Sequence, residues 1–281
     1  MELKSCPVCL GEQASELGIS HAEVSLYRCK VCQHCFTDVS SIQNPETYSP
    51  EYYDVIHKNW FENPNFPLFE KILKIILKNK SEKASVLDVG CGRGDFLKYL
   101  RQQSPGLDLS GIDFSKTPSI EGVTLDQGDF FEKNFQKQFD VVVSLAAIEH
   151  VEDVQRFTKR LAALCSPQGL IIVMTVNEGG MIYGAARGLA SCGIKGPFER
   201  LYSKHHLNHF SVSSLNTLMQ KCGLEVMTTI QHHMPLKAVD IPSKSDLEDK
   251  ILRLGVGAAF LLGEWLELDF MQTIVCRKEI G

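Results

Sequence analysis

Apolar and polar residues change rhythm several times along the 281-residue chain, and each change marks an element. Over residues 68–77 (LFEKILKIIL) apolar side chains stand at 69, 72, 73, 76 and 77, the spacing of one helical face. From residue 85 the pattern alternates. SVLDV (85–89) is a short β-branched run, followed by a glycine-rich turn and the helical stretch DFLKYLRQQ. LDLSGI (107–112) predicts a second strand and VTLDQ a weaker third. FDVVVSLAAI (139–148) is apolar throughout, as suits a strand buried on both faces. VEDVQRFTKRLAALC returns to helical spacing, Pro167 and Gly169 punctuate it, and GLIIVMTV is another buried strand. Strands alternating with helices predict an α/β fold, a parallel sheet covered on both sides.

The last hundred residues change character. SVSSLNTLMQKCG (211–223) opens on a capping serine and closes on a glycine, so it predicts a well-marked helix. LEVMTTIQ and MQTIVCRK read as two strands around a helical insertion at 246–266. Residues 255–263 (GVGAAFLLG), the longest apolar run, have about half the length needed to cross a bilayer and read as a buried helix segment.

Composition adds little until the cysteines are placed. Hydrophobic residues make up 44% and charged residues 22%, as in a soluble globular protein. A net charge of -5 gives no sign of the basic surplus used to grip nucleic acid phosphates. The opening MELKSCPVCLGEQ has no basic start, apolar run and small-residue cleavage site, so a cytoplasmic, reducing location is expected, with no membrane partner. Five of the ten cysteines fall in the first 35 residues. In that setting the cluster points to metal rather than to disulfides. Cys6, Cys9, Cys29 and Cys32 form C-x2-C-x19-C-x2-C, the spacing of a zinc ribbon, in which structural Zn2+ stabilises a segment too small for its own core. Cys35, His34 and His21 stand as alternative ligands, and Cys35 also as a redox thiol. The five scattered cysteines are read as buried small hydrophobes. These features divide the chain into a ribbon (1–40), an aromatic connector (41–67) and an α/β domain (68–281). The connector holds Tyr48, Tyr52, Tyr53, Trp60 and Phe61, which are costly to leave in water, so it is expected to pack on the rest of the chain rather than to act as a free linker.

VLDVGCGRGDF (86–96) is the most informative stretch. A strand ends near Asp88, and Gly90, Gly92 and Gly94 follow at alternate positions before a helix. Glycines there let the backbone turn tightly and approach a ligand at the carboxyl end of a strand. The dinucleotide fingerprint needs its third glycine one residue later. An acidic residue before the first glycine would repel a pyrophosphate, but it suits a ligand carrying an ammonium and a sulfonium, such as S-adenosylmethionine.

On these residues the sequence resembles class I S-adenosylmethionine-dependent methyltransferases over about residues 68–281. The loop VLDVGCGRG matches their D-x-G-x-G-x-G motif. Residues 139–177 resemble their fourth-to-fifth-strand block, with its E-H-V triplet and P-x-G turn. The resemblance implies a Rossmann-like, seven-stranded, mostly parallel sheet with a terminal antiparallel hairpin, and S-adenosylmethionine as cofactor. It implies that Asp88, Gly90, Cys91, Gly92 and Gly94 lie under the methionine part. It further implies Asp113 at the ribose hydroxyls with Phe114 beside it, Asp129 at the adenine amino group with Phe130 beside the ring, and Leu145 at the end of the fourth strand. The stretch around YRCKVCQHCF and TYSPEYYD resembles the zinc-ribbon start of a subgroup that includes sugar and natural-product enzymes, which implies that the ribbon and the connector (41–67) pack near the substrate entrance.

Methyl transfer to a protonated nucleophile asks for a base near the methyl group. His150, directly after Glu149 and the fourth strand, is the leading candidate, since an imidazole titrates near the operating pH. Its other reading is a histidine capping the helix that follows. Glu149 could orient His150, bind a substrate cation or join a divalent-metal site, as in some relatives with E-H-V. SKHHLNHFSVSSL (203–215) adds His205, His206 and His209, of which His209, next to Phe210, is the third catalytic candidate and is expected to face the pocket. His232 and His233 are read as structural or exposed. The expected function is methylation of a small-molecule acceptor. An RNA base methyltransferase is the main rival, opposed by three basic against six acidic residues over positions 1–50. A non-catalytic, cofactor-binding scaffold is the other.

Overall fold

The computed structural model describes residues 3–19, 21–42, 58–241 and 245–278, so Tyr48, Tyr52 and Tyr53 of the connector lie outside the described residues. Three short strands, β1 (Ala14–Glu16), β2 (Leu26–Cys29) and β3 (Cys35–Thr37), precede α1 (Lys58–Glu62) and α2 (Phe66–Asn79). An alternating region follows: β4 (Ser85–Val89), α3 (Asp95–Gln103), β5 (Asp108–Asp113), β6 (Val123–Gln127), β7 (Phe139–Leu145), α4 (Val154–Leu164) and β8 (Cys165–Val176). Next come α5 (Met181–Ser191), α6 (Gly196–Leu201), β9 (Asn208–His209), α7 (Val212–Lys221), β10 (Leu224–His232), α8 (Asp246–Leu266) and β11 (Met271–Lys278).

Seven strands form one sheet in the order β10-β11-β8-β7-β4-β5-β6. Strand β11 runs antiparallel to both β10 and β8, and the other pairs are parallel. The chain builds β4, β5 and β6 outward and then returns to lay β7 on the other side of β4. Strand order reverses between β4 and β7, which opens a crevice at their carboxyl ends. The central strands are apolar on both faces because both are covered. Residues Val141, Val142 and Val143 of β7 and Leu170 to Val173 of β8 have no exposed surface. One layer is closed by α2 through Leu68, Phe69, Ile72, Leu73 and Ile76. The other is closed by α4 and α7, through Phe157, Leu161, Leu215, Leu218 and Met219. Each such side chain contributes about 1.5–3 kcal/mol by leaving water.

Caps set the helix starts. Asn65 accepts from the Leu68 N–H at the head of α2. Asp153 accepts from the Arg156 N–H, so α4 begins at Val154, later than the apolar spacing from Val151 suggested. Ser211 and Ser214 form a capping box on α7, as the capping serine implied.

A second sheet has the order β1-β2-β3-β9. Its fourth strand comes from beyond α6, so the ribbon strands are not self-contained. Two expectations are corrected. The run 255–263 does not form a buried segment: on α8 only Phe260 and Gly263 are buried, while Leu254 is 74% and Trp265 80% exposed. The helix is an excursion between β10 and β11 and packs along one side only, onto Met234 and Ala238. Cys192 is likewise exposed, at the end of α5, and Cys222 only half-buried, whereas Cys91, Cys165 and Cys276 are buried as expected. No described helix is long and apolar enough to cross a membrane.

Candidate active site

The loop after β4 takes its shape from its glycines. Gly90, Gly92 and Gly94 all have positive φ, at 75°, 52° and 73°. A Cβ on Gly90 would stand 2.8 Å from Ala147 Cβ, and one on Gly94 2.6 Å from Ile120 Cδ1. Asp113, at the end of β5, staples the loop in place. Its Oδ2 accepts from the Gly92 N–H and its Oδ1 from the Ser115 N–H, both at 2.8 Å. Beneath the loop lies Asp88, buried, with no partner for Oδ1 among the described residues. Burial, reinforced by the nearby Asp113, pushes its carboxyl up to about 8. An orphaned carboxylate oxygen under a glycine cradle fits a ligand that brings its own cation.

A cavity of about 1640 Å3 opens over this loop at the carboxyl ends of β4, β5 and β7. Asp88, Gly90, Cys91, Gly92, Asp113, Phe114, Asp129, Phe130 and Leu145 all line it. Gly94 is not among its lining residues; it caps α3 against Thr117 and Ile120, so its part is to turn the chain. Cys91 is buried against Thr117, and burial holds its thiol well above the ordinary range, which suits a wall and not a nucleophile. Asp129 accepts the Phe131 N–H at 2.7 Å through Oδ1. Phe130 packs among Phe131, Phe135 and Phe157. Trp60 and Phe61 of the connector also line the cavity. Ala146, between the loop and Glu149, sits at φ 57°. A non-glycine residue held there costs about 1–2 kcal/mol.

Glu149 and His150 follow β7 on a single helical turn and both face the cavity. His150 Nδ1 lies 2.7 Å from the His205 carbonyl. A carbonyl only accepts, so Nδ1 carries the proton and Nε2 is the basic nitrogen. His206 meets His150 edge to face, with ring centroids 4.8 Å apart. Glu149 is buried and accepts from the Thr175 hydroxyl at 2.9 Å. Burial pushes its carboxyl up to about 7, against the hydrogen bonds from its own N–H and Thr175. Ligand atoms of Glu149, His150 and His206 lie within 4.8 Å of one another, close enough to share a cation. His209 does not join them. It is fully buried on β9 against Tyr202, absent from the cavity wall, and burial lowers it to about 3. Packing of its ring against Tyr202 and His206 closes it off; His206, three residues earlier, takes the cavity position instead. Its proximity to the His150 ring has no sequence signal, because it depends on β9 pairing with β3.

At the far end of the chain, Cys6, Cys9, Cys29 and Cys32 bring four sulfurs within 4.8 Å of one another. The Cys6–Cys32 and Cys9–Cys29 sulfur pairs are 3.5 Å apart. Tetrahedral Zn–S bonds of about 2.3 Å place sulfurs about 3.8 Å apart, so the set fits a zinc ion. The hydrogen bond from Cys6 holds the Cys32 thiol down, to about 5, in spite of burial. His34 and Cys35 are buried elsewhere, and neither belongs to the sulfur cluster. Sequence reasoning missed a second junction. Buried Glu178 receives Arg28 from β2, Arg187 from α5 and the Tyr202 hydroxyl.

The family model of a methyltransferase domain matches residues 62–229. This chain belongs to that family. This chain is 30% identical over 162 residues to the ubiquinone biosynthesis O-methyltransferase of Rickettsia felis, a match covering 50% of this chain and 64% of that protein. The chain thus spans just under two thirds of that curated relative. Among solved structures it resembles the Burkholderia thailandensis 1,6-didemethyltoxoflavin-N1-methyltransferase with bound 1,6-didemethyltoxoflavin and S-adenosylhomocysteine. The TM-score there is 0.52 at 15% identity, over 92% of this chain and 100% of that one. It also resembles Haemonchus contortus phosphoethanolamine N-methyltransferase 2 in complex with S-adenosyl-L-methionine, at a TM-score of 0.56 and 16% identity, over 83% of this chain and 59% of that one. At such identities the likeness is one of fold, a class I methyltransferase sheet with its terminal hairpin; the N-terminal four-cysteine cluster of this chain is compatible with a zinc ribbon.

Proposed function

We propose that this chain is an S-adenosylmethionine-dependent methyltransferase acting on a hydroxyl of a small-molecule acceptor. The observation that carries the reading is one cavity holding both a cation-seeking glycine cradle and the basic nitrogen of His150. Its volume of about 1640 Å3 exceeds the usual range for one ligand, roughly 300–1,000 Å3, and leaves room for an acceptor beside the cofactor. When bound, the cofactor supplies an electrophilic methyl carbon on a sulfonium. Asp88 would meet its ammonium, Asp113 its ribose hydroxyls and Asp129 its adenine amino group. On the acceptor side the wall is largely apolar, through Trp60, Ile182, Met234, Phe260 and Phe270. Such a wall favours an acceptor with an apolar body and a polar group at His150.

The work of the chain is to orient that hydroxyl and take its proton. His150 Nε2 would take the hydroxyl proton, leaving the acceptor oxygen as the nucleophile for the methyl group that the bound cofactor would supply. The His205 carbonyl fixes the tautomer and then stabilises the imidazolium through the Nδ1–H. Oxygen is proposed as the acceptor atom because the curated relative is by name an O-methyltransferase. The four cysteines would hold structural zinc. The test is incubation with methyl-labelled cofactor and metabolite extract, with the labelled product identified by mass spectrometry. His150→Ala is expected to lose turnover, by about 100-fold or more, and to keep its cofactor affinity. Retained turnover removes His150 from the mechanism, and product labelled on nitrogen or carbon removes the oxygen assignment.

A further inference from the structure

The segment from His205 to His209 is gripped from two sides. On the ribbon side, β3 pairs with β9 in antiparallel register, Cys35 opposite His209 and Phe36 opposite Asn208. Thr37 extends that pairing: its N–H donates to the Leu207 carbonyl at 2.9 Å and its hydroxyl to the His206 carbonyl at 3.0 Å. On the cavity side, the Leu207 N–H donates to the Glu149 carbonyl at 2.8 Å. The Asn208 amide donates to the Val151 carbonyl at 2.7 Å, and His150 Nδ1–H to the His205 carbonyl at 2.7 Å. The turn that carries Glu149 and His150 therefore hangs on a strand that the ribbon holds.

His34 closes the bridge. It lies two residues beyond Cys32, and the Cys29 N–H donates to its carbonyl at 2.9 Å, so it belongs to the turn that presents those sulfurs. Because the Asn208 amide nitrogen donates to Val151, Oδ1 is its acceptor, and His34 Nε2–H donates to it at 3.1 Å. The His34 Nδ1 faces the Ser214 hydroxyl at 3.4 Å. The ring is fully buried between Phe36 and Phe210, so water cannot replace a lost bond.

From these contacts we infer that His34 and Asn208 are positioning residues for the transfer: their buried hydrogen bond carries the geometry of the four-cysteine turn to the Glu149–Val151 turn and so sets where His150 Nε2 points. The inference rests on the reading of His150 as the base. It assigns the ribbon a part in catalysis without contact with the reacting atoms, and it identifies Asn208 as the residue that touches both partners.

The experiment uses the full chain loaded with zinc. Asn208→Leu is expected to lower kcat by about tenfold to a hundredfold, the consequence of displacing a catalytic group by a fraction of an ångström, while cofactor affinity and zinc content stay unchanged. His34→Gln, which keeps a donor near the position of Nε2, is expected to retain most of kcat where His34→Phe does not. Ring 15N chemical shifts of His150 give a reading independent of turnover: a fixed Nδ1–H tautomer in the parent, and a mixture in Asn208→Leu. Unchanged kcat and an unchanged tautomer in Asn208→Leu, with His150→Ala inactive, overturn the inference alone. An active His150→Ala overturns the reading beneath it. If Asn208→Leu does not fold, His34→Phe, which removes the same hydrogen bond from its donor side, is expected to lower kcat in the same direction, and full activity there with the parent tautomer overturns the inference.

Discussion

Asp88 shows how one side chain couples ionisation, folding and binding. Its folded pKa is raised from 3.8 to about 8 by burial, with Asp113 adding to it. Below pH 4 the group is protonated in both folded and unfolded chains and burial carries no ionic penalty. As pH rises toward 8 the unfolded chain ionises first, so stability is progressively lost through that window. A cationic ligand reverses the preference, because it favours the charged carboxylate. Thermal melts from pH 5 to 8 are expected to fall less steeply with pH in Asp88→Asn than in the parent, with the slope that remains up to about pH 7 belonging to buried Glu149. Calorimetry in buffers of different ionisation enthalpy is expected to show proton release when the cofactor binds, and none in the variant. Equal slopes in the two proteins would exclude this role. The identity of Asp88 and the spacing of Gly90 and Gly92 were legible in the sequence because a backbone at positive φ nearly demands glycine. Its protonation was not, since burial is set by strands that arrive from elsewhere in the chain. His209 failed for the same reason: a neighbouring Phe210 suggests an alternation of faces, but both sides of β9 are covered.

Elements with a clean period were legible, and those without were not. The strands of the large sheet and the helices α2, α3, α4 and α7 follow the apolar rhythm to within a few residues. Helices α5 and α6 gave no expectation. In and around α5 the glycines (GGMIYGAARGLASCG) mask a stripe at Ile182, Tyr183, Ala186, Leu189 and Ala190 whose helical spacing was there to be found. The converse error is α8, where a long apolar run invited the reading of burial. Its packing predicts a contrast within one helix. Leu254→Gln and Trp265→Ala are expected to change stability by no more than about 0.5 kcal/mol. Phe260→Ala, whose ring stacks on His233 at 4.3 Å, is expected to cost about 3–5 kcal/mol. Chemical denaturation of the three variants checks the ordering, and comparable losses in all three would mean the exposed face is covered in solution. In the glycine loop, Gly90→Ala combines positive φ with a contact of 2.8 Å to Ala147 and is expected to lose about 1–2 kcal/mol together with cofactor affinity. A melt and a binding isotherm read both.

Across the whole molecule, the ribbon and the α/β domain share one sheet, and removal of metal tests how far that sharing extends. With the four cysteines first loaded with zinc, its removal by a chelator is expected to lower the melting temperature and to raise amide exchange at residues 26–37. Because β9 is the fourth strand, exchange is expected to rise at 205–209 as well. Exchange confined to residues 3–42 would show that the two parts are mechanically independent. Cysteine spacing made the sulfur cluster legible, but no local pattern foretold that β3 would find its neighbour across the rest of the chain. That pairing has a consequence in time. Cys35 meets His209 about 170 residues later, a contact of very high sequence separation. At synthesis rates of about 5–20 residues per second, β3 waits roughly 10–35 s for its partner to be made. A strand edge left unpaired for that long is a template for another nascent chain, so the ribosome-bound protein is most exposed to mispairing before residue 209 emerges.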